Sequence, residues 1–343
     1  MRRNGADAME TCSKVLAVIV SARRLRFLWP LIVVLSATGC SALPQPATTA
    51  GAPVTQAATA TSGATPAARA GQAVVRPVLR NERDSVKFLI IGDSGTGDRA
   101  QFEVAARIAE KHKAFAFDRA IMLGDNLYGR ENAAAYRNKF ERPYAPLLEA
   151  GVKFYASLGN HDDPAQRFYA QFNMDRKHYY THGTDDVRFF ALDSTYMSPD
   201  QLKWLEEELR RSTDKWKIAY MHHPMYSSGL RHGSTPALRT ALEPLFLKHG
   251  VDVVFAGHDH FYERLRPQNG IAYFVQGGAA KLRKGNIRKN STITANGFDT
   301  DRSFTVAEIV GDQMYVETIS RTGMLVDSAV ITRREAANST SSE

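Results

Sequence analysis

Three short apolar runs in the first half of the chain each stop at a glycine followed at once by a polar metal-binding type of side chain. No other feature limits the fold as much. Val86 to Ile91 ends at Gly92-Asp93, Ala120 to Leu123 at Gly124-Asp125, and Val152 to Leu158 at Gly159-Asn160-His161-Asp162. Runs of this length without alternation read as buried strands. Between the first two lies an amphipathic pattern from Arg99 to Lys113, with Phe102, Ala105, Ile108 and Ala109 on one side. A helix-like segment also separates the second and third runs. Strand, helix, strand, helix, strand implies right-handed crossovers and parallel strands, an α/β fold whose ligands bind at the carboxyl ends of the strands.

The device continues downstream. His178 to His182 and Val187 to Leu192 alternate as an antiparallel pair around Gly183-Thr184-Asp185-Asp186. A helix follows with Ser198 as N-cap, Pro199 at its first position and Gln201 completing a capping box. Trp216 to Met221 runs into His222-His223-Pro224, and Thr235-Pro236 starts a helix by the same device, stopped at Gly250. Val251 to Ala256 then leads to Gly257-His258-Asp259-His260. Four later runs, Ala272 to Val275, Phe304 to Val310, Met314 to Ile319 and Met324 to Ile331, read as a C-terminal β-meander that supplies sheet rather than chemistry.

Five clusters thus stand at strand ends: Asp93, Asp125, Asn160-His161, His222, and His258 with His260. Carboxylate, amide and imidazole donors gathered on one sheet edge suit two hard or borderline ions, with a carboxylate between them. Of the other six histidines, His112, His178, His182 and His249 have no ligand spacing and read as surface or core residues. Asp98 and Asp259 read as turn residues.

The 343-residue chain divides by composition into four parts. Residues 1–40 carry six basic side chains against two acids, which is four of the eight net positive charges, so the basic character says little of the globular part. Arg23, Arg24 and Arg26 precede the apolar run Phe27 to Ala37 and Thr38-Gly39-Cys40-Ser41, the n-region, h-region and small-residue site of an export signal. It resembles a bacterial lipobox, which implies lipid on Cys40, a membrane anchor through it, and a place in the periplasm or cell envelope; an uncleaved anchor is the alternative. Residues 41–84 form an Ala/Thr/Pro-rich tether ending in a charged lead-in, too poor in large apolar side chains to order itself. The globular domain is expected over 85–333, and 334–343 is a polar tail. Both cysteines, Cys12 and Cys40, fall in the leader, so the domain has no disulfide of its own. No basic patch interleaved with aromatics marks a nucleic-acid binder.

The strings GDSG, GDNLY, GNHD, HHP and GHDH, in this order, resemble the metallophosphoesterase (calcineurin-like) superfamily, and within it the purple acid phosphatases of the small tartrate-resistant type. The likeness runs from Lys87 to Arg264 and fades in the meander. It implies a two-sheet α/β/β/α sandwich and a dinuclear-metal hydrolase that cleaves phosphomonoesters by attack of a hydroxide held by the metals. By the same resemblance Asp93, Tyr128 and His260 hold the first ion, Asn160, His222 and His258 the second, and Asp125 bridges them. Relatives with Asp-x-His at the first motif have an imidazole where this chain has Gly95; Tyr128 supplies a phenolate instead. A phenolate favours Fe(III), with divalent Fe, Zn or Mn at the second site. The resemblance places His161 on the phosphate, with Asp162 to orient it, and His232 near the leaving group as proton donor; His223 is set aside as a non-ligand. An aromatic packed beside the site is the plainer reading of Tyr128, and a solvated loop histidine that of His232. A phosphodiesterase or nucleotidase would share every ligand, and a non-catalytic metal-containing surface binding protein is the remaining alternative. The polar loop 281–303, with Lys281, Arg283, Lys284, Arg288 and Lys289, reads either as a solvated loop or as an overhang that attracts anions.

Overall fold

The structure, a computed structural model, describes residues 75–334; the expected export signal, most of the tether and most of the tail lie outside the described residues. Strands β1 (Val86–Ile91), β2 (Arg119–Leu123) and β3 (Lys153–Ser157) are parallel, as the glycine-stopped runs require. The antiparallel meander β11 (Ser303–Val310), β12 (Gln313–Ser320) and β13 (Leu325–Thr332) extends them on the β1 side into a six-stranded sheet of order β13-β12-β11-β1-β2-β3. The second sheet has seven strands, ordered β10-β8-β9-β7-β6-β5-β4. Its parallel centre is β5 (Val187–Ala191), β6 (Trp216–Met221), β7 (Val253–Ala256) and β9 (Ala272–Gln276). Antiparallel edges come from β4 (Tyr180–Thr184), β8 (Tyr262–Leu265) and β10 (Thr294–Phe298).

The two sheets pack face to face. Phe88 of β1 meets Phe189 of β5 edge to face at 5.2 Å, and Tyr180 of β4 donates across the gap to the Ala156 carbonyl at 2.8 Å. Side-chain alternation then divides the apolar residues. Phe189, Val253 and Phe255 point between the sheets, whereas Phe190, Val254 and Ala219 pack under the outer helices α4 (Pro199–Arg211) and α5 (Pro236–His249). The helix α1 (Arg99–Ala114) covers the other outer face. The β2–β3 crossover is α2 (Ala133–Tyr136), a π-helical turn over Arg137–Glu141, and α3 (Ala145–Glu149). This is the expected α/β/β/α sandwich.

Several local expectations change. The expected apolar side of α1 is displaced: Gln101, Val104, Ala105 and Ile108 are buried and Phe102 is exposed. Ser198 caps α4 through Gln201 N, but the Gln201 side chain does not close a capping box; it brackets the Asp193 backbone instead, accepting from N at 2.8 Å and donating to O at 2.9 Å. Thr235 caps α5 without a side-chain hydrogen bond. The run at Ala272 belongs to the second sheet, not to the meander. The loop 281–303 contains β10, and GHDH leads straight into β8. The lead-in before Ser85 lies on the sheet, because buried Glu308 accepts from Arg80 N, Asn81 N and Glu82 N, each at 2.7 Å.

Candidate metal centre

Asp93, Asp125, Asn160, His222 and His258 follow the carboxyl ends of β1, β2, β3, β6 and β7. Both sheets therefore deliver donors to one edge. Two hydrogen bonds knit the halves together, from the His258 N–H to Asp93 Oδ2 (2.8 Å) and between His222 Nδ1 and the Leu123 carbonyl (2.9 Å), while Gly257 N–H ties the ends of β7 and β6 by donating to the His222 carbonyl (2.9 Å). Asp93, Asp125 and His258 take positive φ, at 55°, 50° and 69°. Left-handed backbone is rare outside glycine and clusters where function over-determines the chain. The glycines before the donors make this close approach possible. A Cβ at Gly159 would sit 2.2 Å from Asp125 Oδ1.

Two donor sets result. In the first, the Tyr128 hydroxyl lies 2.9 Å from Asp93 Oδ1 and 3.5 Å from His260 Nε2, with His260 Nε2 3.3 Å from Asp93 Oδ1. In the second, His222 Nε2 lies 3.0 Å from Asn160 Oδ1, 3.1 Å from His258 Nδ1 and 3.4 Å from Asp125 Oδ1. Donors sharing an ion at about 2.0–2.2 Å stand about 2.8–3.6 Å apart, so both sets fit one cation each. Protons alone do not satisfy the second set. With Nδ1 of His222 donating to a carbonyl, its Nε2 is an acceptor facing two oxygen acceptors, Asn160 Oδ1 and Asp125 Oδ1, and even an Nδ1–H on His258 leaves those oxygens without a proton, an arrangement that suits a cation.

The electrostatics agree. Burial, then the Asp125 charge, pushes the Asp93 carboxyl well above its usual range, and burial with the same two carboxylates raises the Tyr128 hydroxyl. Burial holds His222 neutral, takes His258 down to about 2 with its neighbouring imidazoles, and takes His260 down to about 4 with Arg283. Acids that resist ionisation beside imidazoles that resist protonation are a donor set arranged for positive charge.

His161 is exposed, its ring 5.1 Å from that of Tyr128, and its N–H donates to Asp125 Oδ1 at 3.0 Å. The structure also brings exposed His232 to the site, its ring 4.2 Å from that of His258. Asp162 does not orient His161. Its carboxylate accepts from Gly159 N (2.9 Å), Asn126 N (3.1 Å) and Leu127 N (3.0 Å), so it shapes the loop that carries Asp125 and Tyr128; burial and the Asp125 charge raise its pKa to about 8. Gly95 lies beneath that loop, where a Cβ would fall 1.8 Å from the Asn126 carbonyl oxygen. This backbone has no room for a histidine at 95, and the Tyr128 N–H donates to the Gly95 carbonyl at 2.9 Å instead.

Two contributions were not legible in the motifs. Asp259 is fully buried and accepts from Ser227 Oγ (2.6 Å) and Gly233 N (3.1 Å), tying the His232 loop to the His258–His260 turn. His223, set aside as a non-ligand, stands 4.4 Å ring to ring from His258, fixed by Ser194 Oγ at 3.0 Å from its Nδ1. A donor nitrogen of His223 lies within 4.8 Å of those of His222 and His258.

A sandwich with this donor set at its strand ends defines a metallophosphoesterase. The calcineurin-like phosphoesterase family model matches residues 86–262, more than half of the chain, and the chain belongs to that family. It is similar to human tartrate-resistant acid phosphatase type 5, with 26% identity over 315 residues, 77% of this chain and 96% of the human protein. Two solved structures share the fold. The purple acid phosphatase PPD1 of yellow lupin superposes with TM-score 0.61 at 20% identity, over 75% of this chain and 55% of the lupin chain. GAP50, the anchor in the inner membrane complex of Plasmodium, does so with TM-score 0.63 at 18% identity, over 74% of this chain and 90% of that one.

Proposed function

We propose that the chain is an exported, lipid-anchored acid phosphatase of the purple acid phosphatase type, which hydrolyses phosphomonoesters. The observation that carries this reading is the pair of donor sets on either side of Asp125. Asp93, Tyr128 and His260 would hold one ion and Asn160, His222 and His258 the other, with Asp125 between. The phenol of Tyr128 as a hard anionic donor supports Fe(III) in the first set, with divalent Fe, Zn or Mn in the second. Two such cations supply Lewis-acid neutralisation of phosphate oxygens and an acidified water. His161, exposed beside Tyr128, binds and orients the phosphate, and its backbone N–H, donated to Asp125 Oδ1, holds the start of its loop against the bridging carboxylate. His232 protonates the departing alkoxide from the side of His258.

Metal analysis and a substrate screen on the purified full chain test this reading. Two ions per chain, a visible absorption band that Tyr128→Phe abolishes, and faster turnover of monoesters than diesters are expected. A protein without stoichiometric metal, or one that prefers diesters, would refute it, and metal without turnover would make it a binding protein.

A further inference from the structure

The loop after β5 is fixed to buried side chains on both sides of Ser194. Gln201 brackets the Asp193 backbone, and buried Asp193 accepts through Oδ1 from Thr195 N (3.0 Å) and Tyr196 N (3.1 Å), with its Oδ2 3.2 Å from His178 Nδ1. Between these anchors the Ser194 Oγ, also buried, accepts from the His223 N–H at 2.9 Å and lies 3.0 Å from Nδ1 of the same residue. One oxygen thus grips His223 at both backbone and ring, which fixes the direction of the imidazole.

The same contact fixes where the ring carries its proton. A hydroxyl has a single hydrogen, and the His223 N–H is a donor that cannot receive it. Among the described residues Nδ1 is the acceptor within reach, so the Ser194 hydroxyl donates to Nδ1 and the proton of the imidazole sits on Nε2. A second proton, gained at Nδ1, would leave that Nε2–H in place. Nε2 has no hydrogen-bond partner among the described residues and is not shut off from solvent. The half-buried ring stands 4.4 Å from that of His258, which also meets His232 at 4.2 Å. His223 therefore presents a fixed, open N–H beside the second donor set, whereas His161 stands on the Tyr128 side.

We propose that His223 is a further substrate-binding residue whose Nε2–H donates to an oxygen of the bound phosphate on the His258 side, with Ser194 as the positioning residue that holds it there. The inference rests on the phosphatase reading and adds a contact to the same site. A nitrogen that carries a proton has no lone pair for an ion, so His223 serves the substrate although a nitrogen of its ring lies within 4.8 Å of those of His222 and His258. An imidazole N–H on a phosphate oxygen is a charge-assisted hydrogen bond.

The test is calorimetric titration of the metal-loaded full chain with inorganic phosphate, run beside metal analysis and hydrolysis of p-nitrophenyl phosphate. His223→Phe should weaken phosphate binding about tenfold, the loss of one charge-assisted hydrogen bond, and keep both ions. His223→Gln, whose amide N–H can stand near the place of Nε2, should bind within about threefold of the wild type. Ser194→Ala, which frees the ring without removing it, should lose about threefold. An unchanged affinity in His223→Phe overturns the contact, as does a glutamine variant as weak as the phenylalanine one. Loss of an ion from His223→Phe also overturns it and makes His223 a ligand. If phosphate binding follows the expected order while no ester is hydrolysed, the contact stands and the phosphatase reading falls. A chain that hydrolyses esters with a phosphate affinity indifferent to His223 keeps that reading and loses the contact.

Discussion

Replacing Gly95 with alanine probes the reason Tyr128 stands in the site. The added Cβ would lie 1.8 Å from Asn126 O, 2.4 Å from Asn126 C and 2.7 Å from Leu127 Cα. Ordinary contact needs about 3.5 Å, so the 126–127 peptide must retreat by roughly 1.5 Å or more. That shift breaks the Tyr128 N–H bond to the Gly95 carbonyl and the bonds from Asn126 N and Leu127 N to the Asp162 carboxylate. With the Asp162 pKa raised to about 8 its carboxyl is largely uncharged near neutrality, so three neutral bonds at about 1 kcal/mol each sum to about 3 kcal/mol, or about half that if the loop partly relaxes. The full figure is a substantial share of the 5–15 kcal/mol that stabilises an ordinary domain. Urea denaturation at constant m-value reads the loss from the midpoint, and metal analysis reads the displacement of Tyr128 and Asp125. Gly151→Ala is the control: φ there is 83° and nothing lies within 4 Å of an added Cβ. It should cost only about 1 kcal/mol, from backbone strain alone. A Gly95→Ala protein within about 1 kcal/mol of wild type that keeps two ions would refute the reasoning.

Asp162→Asn keeps the size of a side chain that accepts from three backbone N–H groups but turns one acceptor oxygen into an NH2 donor that faces a backbone N–H. It should cost about 2–3 kcal/mol by urea denaturation and weaken metal affinity, and unchanged metal affinity would show that the 126–128 loop needs no carboxylate beneath it. Glu308→Gln should release the lead-in, raising the rate of tryptic cleavage after Arg80 or Arg83 by roughly an order of magnitude. The same strap should respond to acid. Burial opposes ionisation of Glu308, but bonds from Ser85 and from the backbone of Asn81, Glu82 and Arg80 outweigh it and hold its pKa below the usual value. A depressed folded pKa contributes stability above the unfolded value and loses it as pH falls through the folded one. Cleavage should therefore quicken below the ordinary glutamate range, and a flat rate across that range would remove Glu308 from this role.

Much of the architecture was readable because it repeats locally. An apolar run, a glycine and a polar residue mark β1, β2 and β3 and aim their donors at one edge, and the α4 N-cap is a neighbour effect. The same local logic failed where a distant partner intervened. Gln201 suits a capping box, yet the Asp193 backbone claims its side chain. Phe102 fits an apolar face, yet α1 turns Val104 and Gln101 inward. The strand β10 carries too few large apolar residues to be recognised until β8 is placed beside it.

The order of the glycine-stopped clusters determined the α/β class, the edge where the chemistry lies and the presence of a tyrosine where other patterns have histidine. Those properties depend on period, spacing and residue type, which a chain carries along its length. Pairing was decided in three dimensions. Tyr128 reaches Asp93 across 35 residues and His260 across 132. Asp162 supports a loop instead of a histidine, and Asp259 serves the His232 loop instead of a turn. Lys281 and Arg283 reach the rim of the centre only because their backbone N–H groups donate to the Asp93 and His260 carbonyls. Each of these roles is a contact between residues far apart in sequence, and only the packed sheets bring them within hydrogen-bond reach.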